Sequence, residues 1–214
     1  DDDLPELDSG QENNFGTFTL PVHDGANISI LLIYGGSLAN NNGVRRRVLA
    51  RYPNANVEII DVRNGRPNDD LLLRDNRTKC MHELSKYNRV IIATPCTTYC
   101  GRGPEYRRKQ DLNGKKLPLT KEQRTKVKEH NVLTDFTFNI IDKCIKLDIQ
   151  WMLECAAQRG ADECTKPGDD VYWEEKAQRA YLWDHPRAKA LLKTGARRFL
   201  VAMCMQGMMA QKYD

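Results

Sequence analysis

The chain has 214 residues, of which 40% are apolar and 29% are charged, and its formal net charge at pH 7 is +4. That length and apolar content suffice for one domain with a buried core. The sequence contains no run of 18 apolar residues and opens on three aspartates, so we expect neither a membrane span nor a secretory signal.

Cysteine usage indicates the compartment. Seven cysteines are present, an odd number without the regular spacing of small disulfide scaffolds. In a domain of this size, that pattern favours reduced thiols inside the cell, in the nucleus or the cytoplasm. The chain begins with Asp1 rather than Met, which is typical of a piece excised from a longer protein.

The predicted elements alternate between strands and helices. Residues 1–26 are polar and carry no sustained period, so we expect a flexible acidic and polar arm, followed by a single domain over residues 27–214. Continuous apolar runs predict buried strands at residues 28–34, 57–62, 89–95, 149–155 and 199–205. Helical spacing predicts helices at about residues 42–52, within 71–87, after the capping pair Thr120 and Gln123, at 173–182 and at 186–192. This alternation predicts an α/β domain with a doubly wound, Rossmann-like and mostly parallel sheet.

Glycines and an acidic residue follow the first two predicted strands. In doubly wound sheets, ligands bind outside the carboxyl ends of the strands, where the strand order reverses. The first strand ends in Tyr34, Gly35, Gly36 and Ser37, and glycines there allow a ligand to approach the backbone closely. Asp61 ends the second strand, where an acid can bind ribose hydroxyls. An ordinary turn with a capping aspartate would give the same pattern.

A cysteine and a glutamate follow the next two strands. Cys96 comes directly after Pro95 at the end of the third strand, and Glu154 ends the fourth. The thiolate is the reactive form of cysteine, and nearby positive charge such as that of Arg102 lowers the pKa of a thiol. A carboxyl group with an apolar approach can have its pKa raised enough to donate a proton. The two residues therefore form a candidate nucleophile and acid.

These segments resemble the cytosine-C5 methyltransferase family. The run from Pro95 to Gly103 is similar to that family's Pro-Cys-Gln-x-Phe-Ser-x-x-Gly loop, and Leu153 to Ala156 is similar to its Glu-Asn-Val signature. The segment "LIYGGS" resembles the Phe-x-Gly cofactor turn. Compact methyltransferase-like domains of retroelement-type and protist proteins look most similar, because they share a Pro-Cys-Thr-Thr-Tyr-Cys loop, a Leu-Trp-x-x-Pro element and a Cys-Met-x-Gly strand end.

The resemblance implies a class I methyltransferase fold that binds S-adenosylmethionine and methylates a nucleic acid, with DNA favoured over RNA as the substrate. It implies Cys96 and Glu154 as catalytic residues. The cofactor-binding residues would be Tyr34, Gly35, Gly36, Ser37, Asp61 and Pro95. The basic loop after Cys96 would contact nucleic acid through Tyr99, Arg102, Arg107, Arg108 and Lys109. Target recognition would come from other domains or subunits, and a membrane partner is not expected.

The sequence departs from the family pattern at several positions. Leu38 stands at the second cofactor glycine, Thr97 follows the cysteine in place of Gln, and Cys155 follows the glutamate in place of Asn. A catalytically inactive module with a nucleic-acid-binding or assembly role, such as one part of a larger polyprotein, is therefore an alternative. A dinucleotide-binding oxidoreductase is a third hypothesis, disfavoured because the full G-x-G-x-x-G sequence is missing.

Metal binding is not expected. Cys80-x-His82 and Cys96-x-x-x-Cys100 lack the paired Cys-x-x-Cys spacing of structural zinc sites. Cys144 and Cys204 fall on apolar faces, where cysteine behaves as a small core residue. His130 is expected on a helix face without a ligand role.

Overall fold

A computed structural model of the chain describes residues 28–36, 44–99, 105–155 and 180–197. It contains four strands, β1 (Ser29–Ile33), β2 (Asn56–Ile60), β3 (Arg89–Ala93) and β4 (Gln150–Glu154). Four α-helices accompany them, α1 (Val44–Arg51), α2 (Arg74–Glu83), α3 (Lys121–Lys146) and α4 (Pro186–Lys193). Within these ranges, no helix combines the length and the apolar character that crossing a membrane requires.

The four strands form one parallel sheet in the order β2-β1-β3-β4. The chain passes from β1 outward to β2 and then returns to the other side of β1, so the order reverses between β1 and β3. Ile33 pairs with Ile60 of β2 and with Ile92 of β3, and Ala93 pairs with Glu154 of β4. All four carboxyl ends therefore lie along one edge, which we call the carboxyl edge. The expected α/β fold with a parallel, Rossmann-like sheet is confirmed.

Alternate side chains of β1 reach two different cores. Leu31 and Ile33 face a large core shared with α2, α3 and α4, whereas Ile30 and Leu32 face a smaller one with Ile59. Val48 of α1 packs against the smaller core. Because both faces of β1 are covered, its sequence is a continuous apolar run rather than an alternating one.

Helix α3 is the longest element and crosses the large core. The predicted capping box is present: Gln123 N–H donates to Thr120 Oγ1 at 3.2 Å, and Thr120 N–H donates to Gln123 Oε1 at 2.9 Å. The hydroxyls of Thr94 and Thr137 form a buried hydrogen bond of 3.0 Å, which places Thr137 level with the carboxyl edge. The 16 helical residues before Thr137 therefore extend beyond the sheet.

Several predictions are confirmed and one is wrong. The strands at 28–34, 57–62, 89–95 and 149–155 are present within one or two residues of their predicted ends, and the helix predicted at 186–192 is present. The helix predicted to reach Leu182 is wrong at its described end, because Ala180 and Tyr181 are not helical and a short 3₁₀ turn begins at Leu182. The N-terminal arm, the strand at 199–205 and most of 173–182 lie outside the described residues.

Candidate functional site

The carboxyl edge brings the end of each strand into one row. In the order of the sheet, Asp61 follows β2, the Tyr34–Gly36 turn follows β1, Cys96 follows β3, and Glu154 ends β4. Neighbouring strands lie about 4.8 Å apart. The reversal of strand order falls between the glycine turn and Cys96, which is where ligands bind in doubly wound sheets.

The turn after β1 depends on its two glycines. A Cβ atom at Gly35 would lie 2.9 Å from the Cβ of Leu32 and 3.3 Å from Ile59, so only glycine fits this close approach to the sheet. Gly36 has φ +93°, a conformation that side chains other than glycine rarely adopt. The turn therefore presents backbone rather than side chain at the carboxyl edge.

Tyr34 directly follows β1 and turns its side chain into the protein. Its φ of 59° is left-handed, which is uncommon for a residue with a side chain. The ring packs against the large core, and burial raises the pKa of the phenol well above its usual range. Its hydroxyl lies beside Thr137. Only the backbone of Tyr34 is thus directed towards the predicted cofactor site.

Asp61 is buried, and both of its carboxylate oxygens accept hydrogen bonds. Its carboxylate accepts from Gly36 N–H at 2.8 Å and from Arg63 N–H at 2.9 Å, and the Arg63 guanidinium donates to both oxygens at 2.9 and 2.8 Å. Burial alone would raise the pKa of Asp61, but the hydrogen bonds from Arg63 and Gly36 hold it below its ordinary value. Asp61 therefore closes the glycine turn, and Arg63, whose side chain is 64% exposed, covers it from solvent.

Cys96 begins a tight turn. Tyr99 N–H donates to the Cys96 carbonyl at 2.7 Å, and residues 97–99 follow the end of β3 without further regular structure. Thr98 and Tyr99 are buried, whereas Cys96 and Pro95 are half-buried. Cys96 is therefore more accessible than the two buried residues that end its turn.

Arg107 lies against this turn and contacts both of its buried residues. Its side chain is 1% exposed, and its guanidinium lies 4.0 Å from the centre of the Tyr99 ring. Nε and Nη2 donate to Thr98 Oγ1 at 3.1 and 3.0 Å, and Nη1 donates to Asn131 Oδ1 at 2.5 Å and to the Leu112 carbonyl. Among the described residues no carboxylate forms an ion pair with it. A buried cation is therefore held by hydrogen bonds and an aromatic face, and burial lowers its pKa.

His130 completes this cluster. Its Nδ1 lies 3.1 Å from Thr98 Oγ1. Because Arg107 can only donate to that oxygen, the Thr98 hydroxyl proton is directed to Nδ1, which must be unprotonated. Burial, together with the charges of Arg107 and Lys126, lowers the pKa of His130 to about 4 and keeps the imidazole neutral at pH 7.

Glu154 ends the strand next to the one that leads into the cysteine turn. It pairs with Ala93, three residues before Cys96, and β4 is a terminal strand of the described sheet. The residue as a whole is exposed, yet surrounding protein atoms desolvate its carboxyl group and raise its pKa. This shift is in the direction that a proton donor needs.

Two residues predicted to contact nucleic acid are buried. Arg107 and Tyr99 are 1% and 2% exposed, so their side chains are not available at the surface in this structure, and their contact with nucleic acid stays a prediction. Arg108 is half-buried and pairs with Glu105 at 3.0 Å, whereas Lys109 is exposed. Arg102 and the predicted cofactor residue Ser37 lie outside the described residues.

The sequence does not reveal the contacts between Arg107, Thr98 and His130. A signal was present for His130, which lies three residues after Val127 and four before Thr134, both on the buried face of α3. No comparable signal marked Arg107, because it stands in an aperiodic basic segment where arginines are usually solvated.

The cysteines do not form a metal site in the described part of the chain, where no three metal-ligating side chains come together. Cys144 is fully buried in the large core, as predicted. Cys80 is also buried, and burial raises the pKa of its thiol to about 12. These two thiols are therefore core residues.

Comparison with protein-family models, with curated proteins and with solved structures finds no match for this chain. The resemblance to cytosine-C5 methyltransferases consequently depends on the motifs alone.

Proposed function

We propose that the chain is an S-adenosylmethionine-dependent nucleic-acid cytosine-C5 methyltransferase-like domain with Cys96 as its nucleophile. One observation carries the proposal. The glycine turn and Asp61 lie on one side of the point where strand order reverses, and Cys96 and Glu154 lie on the other side. A cofactor at the first pair and a base at the second would meet across that point.

The residues on the cofactor side fit an adenosyl ligand. Neither Gly35 nor Gly36 carries a side chain, so a ligand could approach the backbone of this turn closely. Asp61 would supply the carboxylate for ribose hydroxyls if the exposed Arg63 side chain turned away, which leaves each oxygen with one backbone hydrogen bond and room to accept another. S-adenosylmethionine, when bound there, supplies an electrophilic methyl group.

On the other side, Cys96 and Glu154 act on a pyrimidine that has left its stack. The Cys96 thiolate forms a bond to ring carbon 6 while Glu154 hydrogen-bonds or protonates ring nitrogen 3. Electrons displaced by that bond would make carbon 5 nucleophilic towards the methyl group that S-adenosylmethionine would supply, with S-adenosylhomocysteine as the leaving group. Loss of the carbon 5 proton to water would then expel the Cys96 thiolate and restore the ring. The covalent step divides one difficult substitution into easier ones.

Labelled methyl transfer to DNA and RNA oligonucleotides tests this mechanism. We expect Cys96→Ser to reduce incorporation to background and Glu154→Gln to reduce it by about a hundredfold or more. Cys80→Ala, in the core on α2, is the matched cysteine control and should retain activity. Equal activity of wild type and Cys96→Ser would refute the proposed role of Cys96.

The environment of Asp61 favours one second candidate, a non-catalytic nucleic-acid-binding or assembly module. Four hydrogen bonds within the protein already occupy both oxygens of Asp61. If Arg63 never leaves, the carboxylate is purely structural. That candidate predicts nucleic-acid binding that is unchanged in Cys96→Ala and no binding of S-adenosylmethionine.

A further inference from the structure

Residues 105–130 form a folded projection above the carboxyl edge, which we call the basic arm. Thr137 is level with the edge, and the 16 residues of α3 that precede it extend about 24 Å beyond the sheet at 1.5 Å per residue. Residues 105–119 pack along this extension. Leu117, Leu119 and Val127 form a separate small core with Tyr106 against them.

The arm is fixed by polar contacts as well as by its core. Arg107 binds Leu112 and Asn131, and the Arg124 guanidinium donates to the Leu119 carbonyl at 2.9 Å. The Asp111 carboxylate accepts from Lys116 N–H at 2.6 Å. Residues 105–119 thus form an ordered structure with a defined outer surface.

That outer surface is strongly positive. Six of its cations are exposed, whereas its exposed carboxylates are Glu122 and Glu129 only; the cations are Lys109, Lys115, Lys116, Lys121, Arg124 and Lys128. Within the described part of the chain, none of the six forms an ion pair. Lys121, Arg124 and Lys128 follow one another at three- and four-residue intervals, so they line one side of the projecting helix.

The surface has the character of a nucleic-acid interface rather than of a protein interface. Protein interfaces depend on apolar or aromatic anchors at their centre. The large apolar side chains exposed in the described residues all lie outside residues 105–130, because the arm buries its own in the small core. Unpaired lysines without such anchors suit a phosphate backbone, whose binding is mainly electrostatic.

We propose that the basic arm is the surface that holds a nucleic-acid strand over Cys96 and Glu154. This inference deepens the proposed function and rests on it for the orientation of the strand, but binding itself can be measured separately. Arg107 of the arm holds Thr98 and Tyr99 of the turn that begins at Cys96, so the arm stands on the carboxyl edge where β3 and β4 end. A single chain would then combine strand binding with the site of chemistry.

Fluorescence anisotropy of the full chain with labelled 20-nucleotide DNA, single-stranded and duplex, tests the arm. The arm variant carries Lys109→Gln, Lys115→Gln and Lys128→Gln. The control variant carries Lys79→Gln, Lys146→Gln and Lys193→Gln, three exposed lysines away from the arm with the same change in charge. A melting temperature of each variant equal to that of the wild type verifies that the fold is intact.

At 100 mM salt we expect the arm variant to lose at least tenfold in affinity and the control variant less than twofold. The slope of log affinity against log salt should fall by about two to three for the arm variant, since each lost phosphate contact removes roughly 0.7–0.9. Equal losses in the two variants would overturn the proposal, as would tighter binding to polyglutamate than to DNA.

The experiments distinguish an arm that does not bind DNA from a domain that does not transfer methyl groups. Suppose that the wild-type protein binds DNA but transfers no methyl group, and that the arm variant loses DNA binding. This result would support the arm and refute the methyltransferase proposal. Methyl transfer to DNA at the wild-type rate by the arm variant would overturn the arm and leave the methyltransferase proposal standing.

Discussion

Arg107 links four parts of the chain at the level of single side chains. Its guanidinium holds Thr98 and Tyr99 of the cysteine turn, Leu112 of the arm and Asn131 of α3, and its carbonyl accepts from Ala180 N–H at 3.1 Å. Arginine suits this position because its planar group donates several hydrogen bonds in fixed directions. Lysine keeps the charge but cannot reproduce that geometry.

We therefore expect Arg107→Lys to lower the free energy of unfolding by roughly 2–4 kcal/mol, because buried acceptors would lose their donors. Urea denaturation followed by circular dichroism measures the change. Arg108→Lys is the neighbouring control, and its partly exposed pair with Glu105 should contribute at most about 1 kcal/mol. A loss for Arg107→Lys no larger than that of the control would contradict the role assigned to Arg107.

The neutral state of His130 predicts a pH dependence of stability. Its folded pKa of about 4 lies below the ordinary histidine value of about 6.5, so the unfolded chain binds the proton more readily between these values. The contribution of this residue to stability should therefore fall as the pH is lowered from about 6.5 to about 4 and change little below that.

Denaturation at a series of pH values compares wild type with His130→Asn, which keeps a polar atom near the position of Nδ1 but does not titrate. The variant should lose less stability than wild type over this interval. His82→Asn, at an exposed position on α2, should follow the wild-type curve. Parallel curves for wild type and His130→Asn would show that His130 is not held neutral.

At the scale of elements, apolar spacing predicted most of what the structure contains. β1 was recognisable because burial on both faces requires continuous apolar residues, and the start of α3 was recognisable from its capping pair. The ordered arm was not predictable in this way. Its backbone is set by individual side-chain contacts of Arg107 and Asp111, which have no period.

Gly114 shows how closely the arm is packed. It has φ +67°, and a Cβ atom there would lie 2.4 Å from the Tyr106 carbonyl oxygen. Gly65 has nearly the same φ of +69°, but a Cβ atom at that position would have no heavy atom within 4 Å. A substitution at Gly65 therefore introduces backbone strain alone, whereas one at Gly114 introduces backbone strain and a steric clash.

We expect Gly65→Ala to lower stability by about 1–2 kcal/mol through its left-handed conformation alone. Gly114→Ala should cost at least about 2 kcal/mol more, because backbone must also move. Chemical denaturation measures both, and equal losses would show that the arm does not pack as described. Loss of DNA affinity in Gly114→Ala alone would connect that packing to binding.

For the whole molecule, the sequence predicted which candidate residues lie in one row, but it did not predict which of them already form hydrogen bonds within the protein. Parallel strands place Asp61, Gly36, Cys96 and Glu154 on one edge, as expected from the strand ends. The bonds between Asp61 and Arg63 were not foreseeable, since a residue two positions away can equally point into solvent. The same strand order also occurs in flavin-binding sheets, so the fold alone does not choose the ligand.

Calorimetric titration of the full chain with S-adenosylhomocysteine tests the central claim most directly. We predict saturable binding to one site, and up to about fivefold tighter binding to Arg63→Gln, because an exposed ion pair worth at most about 1 kcal/mol no longer competes for Asp61. Absence of binding to both proteins, each melting as a folded domain, would contradict a cofactor site at the carboxyl edge.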